Sequence, residues 1–396
     1  MLFSEWNAPR RTEKVRLKDA FGRIIADDYR ALHSIPVVRA SAMDGVAVIS
    51  ERFKGGIPDT SGWKLGVDYA RADTGDDFDD KYDAVIKIED VTLLPDGGLK
   101  IREGVEVAPG MSVRGSGSTF QKGTKLTNKG LPLRATDLAA LAMGGIMSVN
   151  VYTRPRVGFI PTGSELIPIG APLKRGCNYD TNSVIAENLL REMGAEPVRF
   201  PIVQDDRILL KAALKKALAE CDVVIINGGS SKAGEVYNTR LLEQEGRLLL
   251  HWVDAGPGRP IGIALCEGKP VINLPGPSVG MFFGMDWCIR AIVYSFFGLP
   301  VPEREKVKAV LTKDMRCAPR FDFLNRVEIY RDGDRFFAEP MERGKTDLPS
   351  SLITNALFIS PAGESFYPAG TEIEVELLRN RSLIPDIAAR GGASNA

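Results

Sequence analysis

The spacing of apolar residues changes several times along the chain, and each change marks a different kind of structure. Residues 11–30 (RTEKVRLKDAFGRIIADDYR) carry the helical period and predict an amphipathic helix with a short continuation. From about 46 to 130 the apolar runs are short and broken by Gly, Pro and Asp. YDAVIKIEDVTLL, GLKIREGVEV and GTKLTNKG predict strands with turns between them, a small β-barrel or sandwich. Helical spacing returns in residues 135–147 (ATDLAALAMGGIM).

Between 155 and 297 strands and helices alternate. RVGFIPTG, EPVRFPIVQDD, CDVVIINGG, RLLLHWVD and KPVINLPG predict strands; TNSVIAENLLREMG, RILLKAALKKALAE, EVYNTRLLEQE and SVGMFFGMDWCIRAIVYSFFG predict helices. This rhythm predicts a three-layer α/β domain with a mostly parallel sheet. After the linker Leu299-Pro300-Val301-Pro302, the segments EKVKAVLTKDM, FLNRVEIYR, RFFAEP, NALFISP and TEIEVELL predict a separate β-barrel-like domain. The expected organisation is a multidomain α/β plus β chain. Residues 1–30 and 131–153 form a discontinuous helical linker domain, 31–130 a β-rich inserted domain, 154–298 the α/β domain, 299–384 the C-terminal β domain and 385–396 a tail.

Composition narrows the function classes. A chain of 396 residues exceeds one ordinary core, and 44% apolar with 26% charged residues is a globular balance. The 51 basic residues cancel the 51 acidic ones, so no net field draws the chain to nucleic acid or an anionic membrane. An anionic ligand must therefore be captured by local loops. Cysteines at 177, 221, 266, 288 and 317 are too scattered for CxxC pairs and fit reduced cytoplasmic thiols. Glu5 and Arg10 interrupt the start before an apolar signal region forms, and the sequence reading finds no run near the ~20 residues of a membrane span. Two histidines, His33 and His251, leave little for a His-rich metal site or a Ser-His-Asp triad.

The candidate chemistry lies in the loops that leave the α/β strands. Gly228-Gly229-Ser230-Ser231-Lys232 follows the apolar run Val223-Val224-Ile225-Ile226 and offers backbone N–H groups, hydroxyls and an ammonium beside a helix start, which suits a phosphate. Thr162-Gly163-Ser164-Glu165 adds a hydroxyl, a glycine turn and a carboxylate. Gln204-Asp205-Asp206 adds two acids, one of which a helix N-cap would explain. Leu274-Pro275-Gly276-Pro277-Ser278 reads as a rigid strand-to-helix turn or as part of the site, and Asp180-Thr181-Asn182-Ser183 chiefly as a cap. Carboxylates beside a phosphate need a hard cation between them, so Mg²⁺-assisted phosphoryl chemistry on a nucleotide or polyphosphate is expected, with Lys232 and Arg259 supplying charge.

The ordered set SAMDG (41–45), PTGSEL (161–166), DTNS (180–183), QDD (204–206), GGSSK (228–232), PGRP (257–260) and LPG (274–276) resembles the molybdopterin molybdenumtransferase family, whose eukaryotic relatives include the gephyrin E domain. The resemblance runs from about residue 10 to 380. It implies an enzyme with an elongated four-part subunit, usually an antiparallel homodimer, with a pterin site in the α/β domain and a cleft shared with the β-rich domain of the other subunit. The implied reaction takes adenylylated molybdopterin and molybdate, with Mg²⁺, and releases molybdenum cofactor and AMP. Implied partners are the molybdopterin adenylyltransferase and molybdoenzyme chaperones.

Carried over by position, Asp44, Thr74, Glu165 and Asp205 are the implied catalytic residues, with Asp44, Glu165 and Asp205 as metal ligands. Thr162, Gly163, Gly228, Gly229, Ser230, Ser231, Lys232, Pro275 and Gly276 are the implied substrate contacts, and Arg259 and Arg326 the implied molybdate contacts. The chain also departs from the family. Gly117-Ser118-Thr119 stands where the family has Gly-Glu-Asp, Val236 where an acid precedes Tyr237, Val46 in MDGYA, Gly256 for a first Lys, and Ser278 for a second Pro after LPG. The alternative readings are a paralogue that binds the pterin nucleotide as a carrier, store or regulator, and a gephyrin-like scaffold.

Overall fold

A computed structural model describes residues 2–228, 232–341 and 354–387, with the side chains of residues 232–236 outside the description. The chain divides into two compact units, Arg11–Tyr152 on one side and Met1–Arg10 with Thr153–Ala396 on the other.

In Arg11–Tyr152 the principal elements are β1 (Thr12–Arg16), β2 (Gly45–Val48), β3 (Ala70–Ala72), β4 (Ala84–Lys87), β5 (Val91–Leu93), β6 (Leu99–Ile101), α1 (Ala135–Met143) and β7 (Ser148–Tyr152). The helix expected over 11–30 does not form. Thr12–Arg16 instead pairs antiparallel with Ser148–Tyr152, Val15 facing Val149, and the chain beyond Gly22 bridges from Ile24 to Pro132 and from Ile25 to Val151. The charged, evenly spaced residues of 11–30 mimic a helical period, but pairing across the insertion satisfies the same backbone groups and buries Ala20 and Ile25 against Leu133, Leu141, Val149 and Val151. Among the small sheets of the insertion, β3–β2–β4 and the hairpin β5–β6 share Val46, Val48, Ile86, Leu99 and Ile101 in one core, and Ala40–Ser41 pairs with Val113–Arg114. GTKLTNKG makes no strand; only Lys125 bridges, to Arg30.

The second unit carries β8 (Arg156–Pro161), α2 (Asn182–Glu192), β9 (Glu196–Arg199), α3 (Arg207–Glu220), β10 (Val223–Asn227), α4 (Lys232–Glu245), β11 (Arg247–His251), β12 (Gly262–Cys266), β13 (Lys269–Leu274), α5 (Ser278–Gly284) and α6 (Arg290–Phe297). Its six-stranded sheet has the order β9–β8–β10–β13–β12–β11. The first four strands run parallel; β12, which the sequence pattern does not mark, is antiparallel to β13, and β11 is antiparallel to β12. Ile225 sits at the centre, in register with Phe159 and Ile272, and all three are fully buried. A parallel strand covered on both faces needs such a continuous apolar run. Every parallel strand end then points its loop the same way, and that edge carries the site.

Ser278–Phe297, a 20-residue stretch of α5, a π turn and α6, corrects the reading that no run suits a membrane: its length and mean hydropathy of 1.2 would. Here it is a core helix. It buries Val279, Phe283, Met285, Ile292 and Phe296, and Asp286 within it pairs with Arg304.

The C-terminal strands are β14 (Lys306–Leu311), β15 (Asp322–Asp332), β16 (Arg335–Pro340), β17 (Ala356–Ser360) and β18 (Glu372–Leu377). They close on themselves in the order β15–β16–β14–β18–β17–β15, a five-stranded barrel. Its interior holds Val307, Ala309, Val327, Ile329, Ala338, Ala356 and Val375. Leu324 and Leu357 on its outside pack against Val279 and Phe283 of α5.

Candidate active site

A cavity of about 650 Å³ opens at the carboxyl edge of the parallel sheet. Thr162 and Gly163 enter it from the end of β8, Asn227 and Gly228 from β10, Gly276 to Ser278 from β13, Asp205 from the loop after β9, and Asn178 to Asn182 from the approach to α2. Glu165 completes the acidic side.

The two glycines are there because a side chain cannot be. Gly228 has φ +134°, and a Cβ on it would lie 2.3 Å from Thr162 Oγ1 and 2.4 Å from Thr162 O. Gly163 has φ +147°, and a Cβ there would come within 2.7 Å of the Glu165 carboxylate, which folds over it. Backbone bonds hold these turns together: Thr162 N donates to Asn227 O at 2.8 Å, Gly163 N to Val203 O at 3.0 Å and Gly228 N to Leu274 O at 3.1 Å. Gly229, Ser230 and Ser231 lie outside the described residues, as do the side chains of Lys232, Glu235 and Val236; α4 starts at Lys232, three residues before the start that the sequence suggests.

The neighbouring acids Asp205 and Asp206 separate into different tasks. Asp206 is the N-cap of α3, its Oδ1 accepting from Ile208 N at 2.8 Å and Leu209 N at 2.9 Å. Asp205 lines the cavity, its Oδ2 accepting from Ser164 N at 3.2 Å while Ser164 Oγ accepts from Asp205 N at 3.1 Å. Asp206→Ala should therefore lower stability by about 1 kcal/mol, visible in urea unfolding, and leave ligand affinity unchanged. A loss of affinity would show that the cap reading is incomplete.

Asp180, expected as a cap, is one: buried at 1% exposure, it accepts from Ser183 N and Ser183 Oγ and pairs with Arg199 at 2.8 Å. Asn182, beside it, belongs to the cavity, and this the sequence reading missed. So does Asn227, whose signal was a polar residue closing an apolar strand. Pro275 is outside the lining, but its carbonyl accepts from Asn227 Nδ2 at 2.8 Å.

Arg259 and Arg326 are not among the lining residues. The Arg259 guanidinium lies between the Trp252 and Phe321 rings, 4.9 and 5.4 Å from their centroids, and faces Asp254 at 3.6 Å. Arg326 lies on β15, opposite Leu357 of β17. Gly256 stands against Phe321 and Phe323, where a Cβ would come within 2.6 Å of a ring atom, so this packing leaves no room for a side chain at that position.

Asp44 and Thr74 belong to Arg11–Tyr152. Asp44 is exposed at the head of β2, and its Oδ1 accepts from Thr74 N at 2.7 Å and from Thr74 Oγ1 at 2.8 Å. These two bonds, the backbone one first, hold the Asp44 carboxyl below the ordinary carboxylate pKa. Thr74→Val removes the hydroxyl donor, so the Asp44 pKa should rise toward its usual value; carboxyl ¹³C titration measures it, and an unmoved midpoint would contradict the assignment.

Residues 2–145 match the MoeA N-terminal region (domain I and II), and residues 158–294 match a probable molybdopterin binding domain. A molybdopterin molybdenumtransferase 2 of Mycobacterium tuberculosis (strain H37Rv) is 30% identical over 331 residues, 77% of this chain and 80% of its own. The chain belongs to the molybdopterin molybdenumtransferase family. A second relative, the molybdopterin molybdenumtransferase of Bacillus subtilis (strain 168), is 28% identical over 392 residues, 94% of this chain and 91% of its own. Two solved structures of the molybdopterin biosynthesis MoeA protein from Pyrococcus horikoshii share 27% and 28% identity, with TM-scores of 0.78 and 0.71. They cover 96% and 95% of this chain and 97% of their own. Family membership draws on both compact units: the first match covers most of Arg11–Tyr152, and the second lies within Thr153–Ala396.

Proposed function

We propose that this chain inserts molybdenum from molybdate into adenylylated molybdopterin and releases AMP. The observation that carries the reading is the cavity itself: backbone turns at Gly163 and Gly228 stand beside the two carboxylates Glu165 and Asp205, at the strand ends of a molybdopterin-binding domain. The side-chain-free glycine turns let a phosphate approach the backbone closely, and acids in the same cavity suit a cation that bridges to it.

Glu165 and Asp205 are the residues that would hold Mg²⁺. Among the described residues no three His, Cys, Asp or Glu side chains cluster as a complete metal cage. Two carboxylates completed by substrate phosphates and water are how Mg²⁺ is usually bound. When bound, the ion would offset the negative charge that builds on the phosphoanhydride as it breaks. The protein's own part in the cavity is to seat the phosphates at the Gly228 turn with Thr162 and Gly163 beside them. Asp44 is proposed separately as a catalytic carboxylate, ionised because its Thr74 bonds lower its pKa. Arg259 and Arg326 are proposed for the oxyanion, the first oriented by its two aromatic neighbours.

The same reading makes the protein a cytoplasmic homodimer that takes its nucleotide from a molybdopterin adenylyltransferase and passes its product to molybdoenzyme chaperones. Retention of Glu165 and Asp205 in the cavity favours an enzyme over a carrier, although Thr119 and Val236 replace family acids. The test is incubation with adenylylated molybdopterin, Mg²⁺ and molybdate. Molybdate-dependent AMP release supports the enzyme; tight nucleotide binding with no release above background would leave only the carrier.

A further inference from the structure

A glycine permits the φ of +134° at Gly228 but does not enforce it, because a residue without a Cβ turns freely among many backbone conformations. Something else has to hold the turn. On one side Gly228 N donates to Leu274 O at 3.1 Å, at the end of β13. On the other, Gly228 O accepts from Asn238 Nδ2 at 3.3 Å, and the same Nδ2 donates to Asn273 Oδ1, also on β13, at 2.9 Å. A backbone carbonyl only accepts, so Gly228 O fixes which way the Asn238 amide faces, and both amide hydrogens are spent. The adjacent Asn227 side chain is engaged elsewhere: its Oδ1 accepts from Asn182 Nδ2 at 2.9 Å and its Nδ2 donates to Pro275 O at 2.8 Å.

Asn238 lies on α4, is 2% exposed and is not among the residues that line the cavity, whereas Gly228 is. Burying an amide on a helix is costly unless it is matched, and here it is matched to the turn and to the strand beside it. One side chain thus ties α4, the end of β10 and β13 together at the edge of the cavity. We propose that Asn238 is a positioning residue for ligand binding: it holds the Gly228 carbonyl, anchors it through Asn273 to β13, and so keeps the turn in the form that seats a phosphate. It acts through Gly228 and does not touch the ligand. This deepens the proposed function and rests on it.

The test uses the full chain and two variants, each first shown by urea unfolding to be folded. Asn238→Leu keeps the size of the side chain and removes its donors; Asn238→Ala takes its place if the leucine variant does not fold. Either should bind adenylylated molybdopterin about tenfold more weakly in a fluorescence titration, the worth of one hydrogen bond. In molybdate-dependent AMP release it should raise KM by a similar factor and leave kcat within about twofold, because seating the phosphate serves ground state and transition state alike. A merely structural role gives the opposite split: a fraction of unfolded chains lowers kcat and leaves KM alone. Asn273→Ala removes one partner of Asn238 but keeps the donor to Gly228 O, and should stay within about twofold of wild-type affinity. Wild-type affinity in a folded Asn238 variant would overturn the inference, and so would an equal loss in Asn273→Ala. A wild type that binds the nucleotide without turnover would overturn the proposed enzyme, and the affinities would then decide on Asn238. Failure of the wild type to bind it at all would overturn both.

Discussion

Gly228→Ala is expected to weaken nucleotide binding by at least about a hundredfold, from backbone displacement alone. An alanine at φ +134° is strained in any surroundings, at a cost of about 1–3 kcal/mol. Here its Cβ would also lie 2.3 Å from Thr162 Oγ1 and 2.4 Å from Thr162 O, with backbone rather than a flexible side chain as one of the obstacles. Relief requires the ends of β8 and β10 to separate. That strains the Thr162 N to Asn227 O bond and the Thr162 Oγ1 contact to the same carbonyl at 3.1 Å. The turn that faces the ligand is then out of place. Fluorescence titration with adenylylated molybdopterin measures the loss, and urea unfolding separates it from global destabilisation, since the buried run Val223–Ile226 below the loop is untouched. Wild-type affinity in Gly228→Ala would mean that this loop does not hold the substrate.

Asp44→Asn is expected to reduce turnover by about 10²–10³ while leaving nucleotide affinity nearly unchanged, as removal of a charge that acts chiefly in the transition state does. The Thr74 bonds hold this carboxylate in place and keep its pKa depressed. The sign follows from that direction. A carboxyl with a lowered folded-state pKa is ionised throughout the neutral range, and the stability it lends its turn is present above the unfolded pKa and lost as pH falls through the folded one. The acid limb of the wild-type rate should therefore fall below the ordinary carboxylate range, and Thr74→Val should move it upward. An Asp44→Asn enzyme with the wild-type rate would remove Asp44 from the reaction.

How far the sequence could be read differs from element to element, for physical reasons. Arg207–Glu220 is read to its ends because a long apolar stripe and the Asp206 cap are local signals. The barrel strands are legible because their alternation survives between clear turns. Thr12–Arg16 misleads: its partner, Ser148–Tyr152, lies beyond the whole insertion, and local spacing says nothing of a distant strand. β12 escapes because Gly262–Cys266 is short, follows the loop at Pro260 and runs antiparallel at the sheet's far side.

In the site, glycines and acids at strand ends can be identified in sequence, and Thr162, Gly163, Glu165, Asp205, Gly228 and Gly276 do line one cavity. The Asn182–Asn227 pair cannot, because its meaning lies in a side-chain bond across 45 positions. The aromatic neighbours of Arg259 are hidden for the same reason: Phe321 lies on the far side of the domain linker.

The central claim is that molybdenum enters the pterin at the expense of the phosphoanhydride. The most direct measurement follows both products at once: pterin-bound molybdenum by elemental mass spectrometry and AMP by chromatography, in one reaction with adenylylated molybdopterin, Mg²⁺ and molybdate. The account predicts equal amounts of the two, rising together and absent without molybdate. AMP released at the same rate without molybdate, or pterin that emerges free of metal, would contradict it.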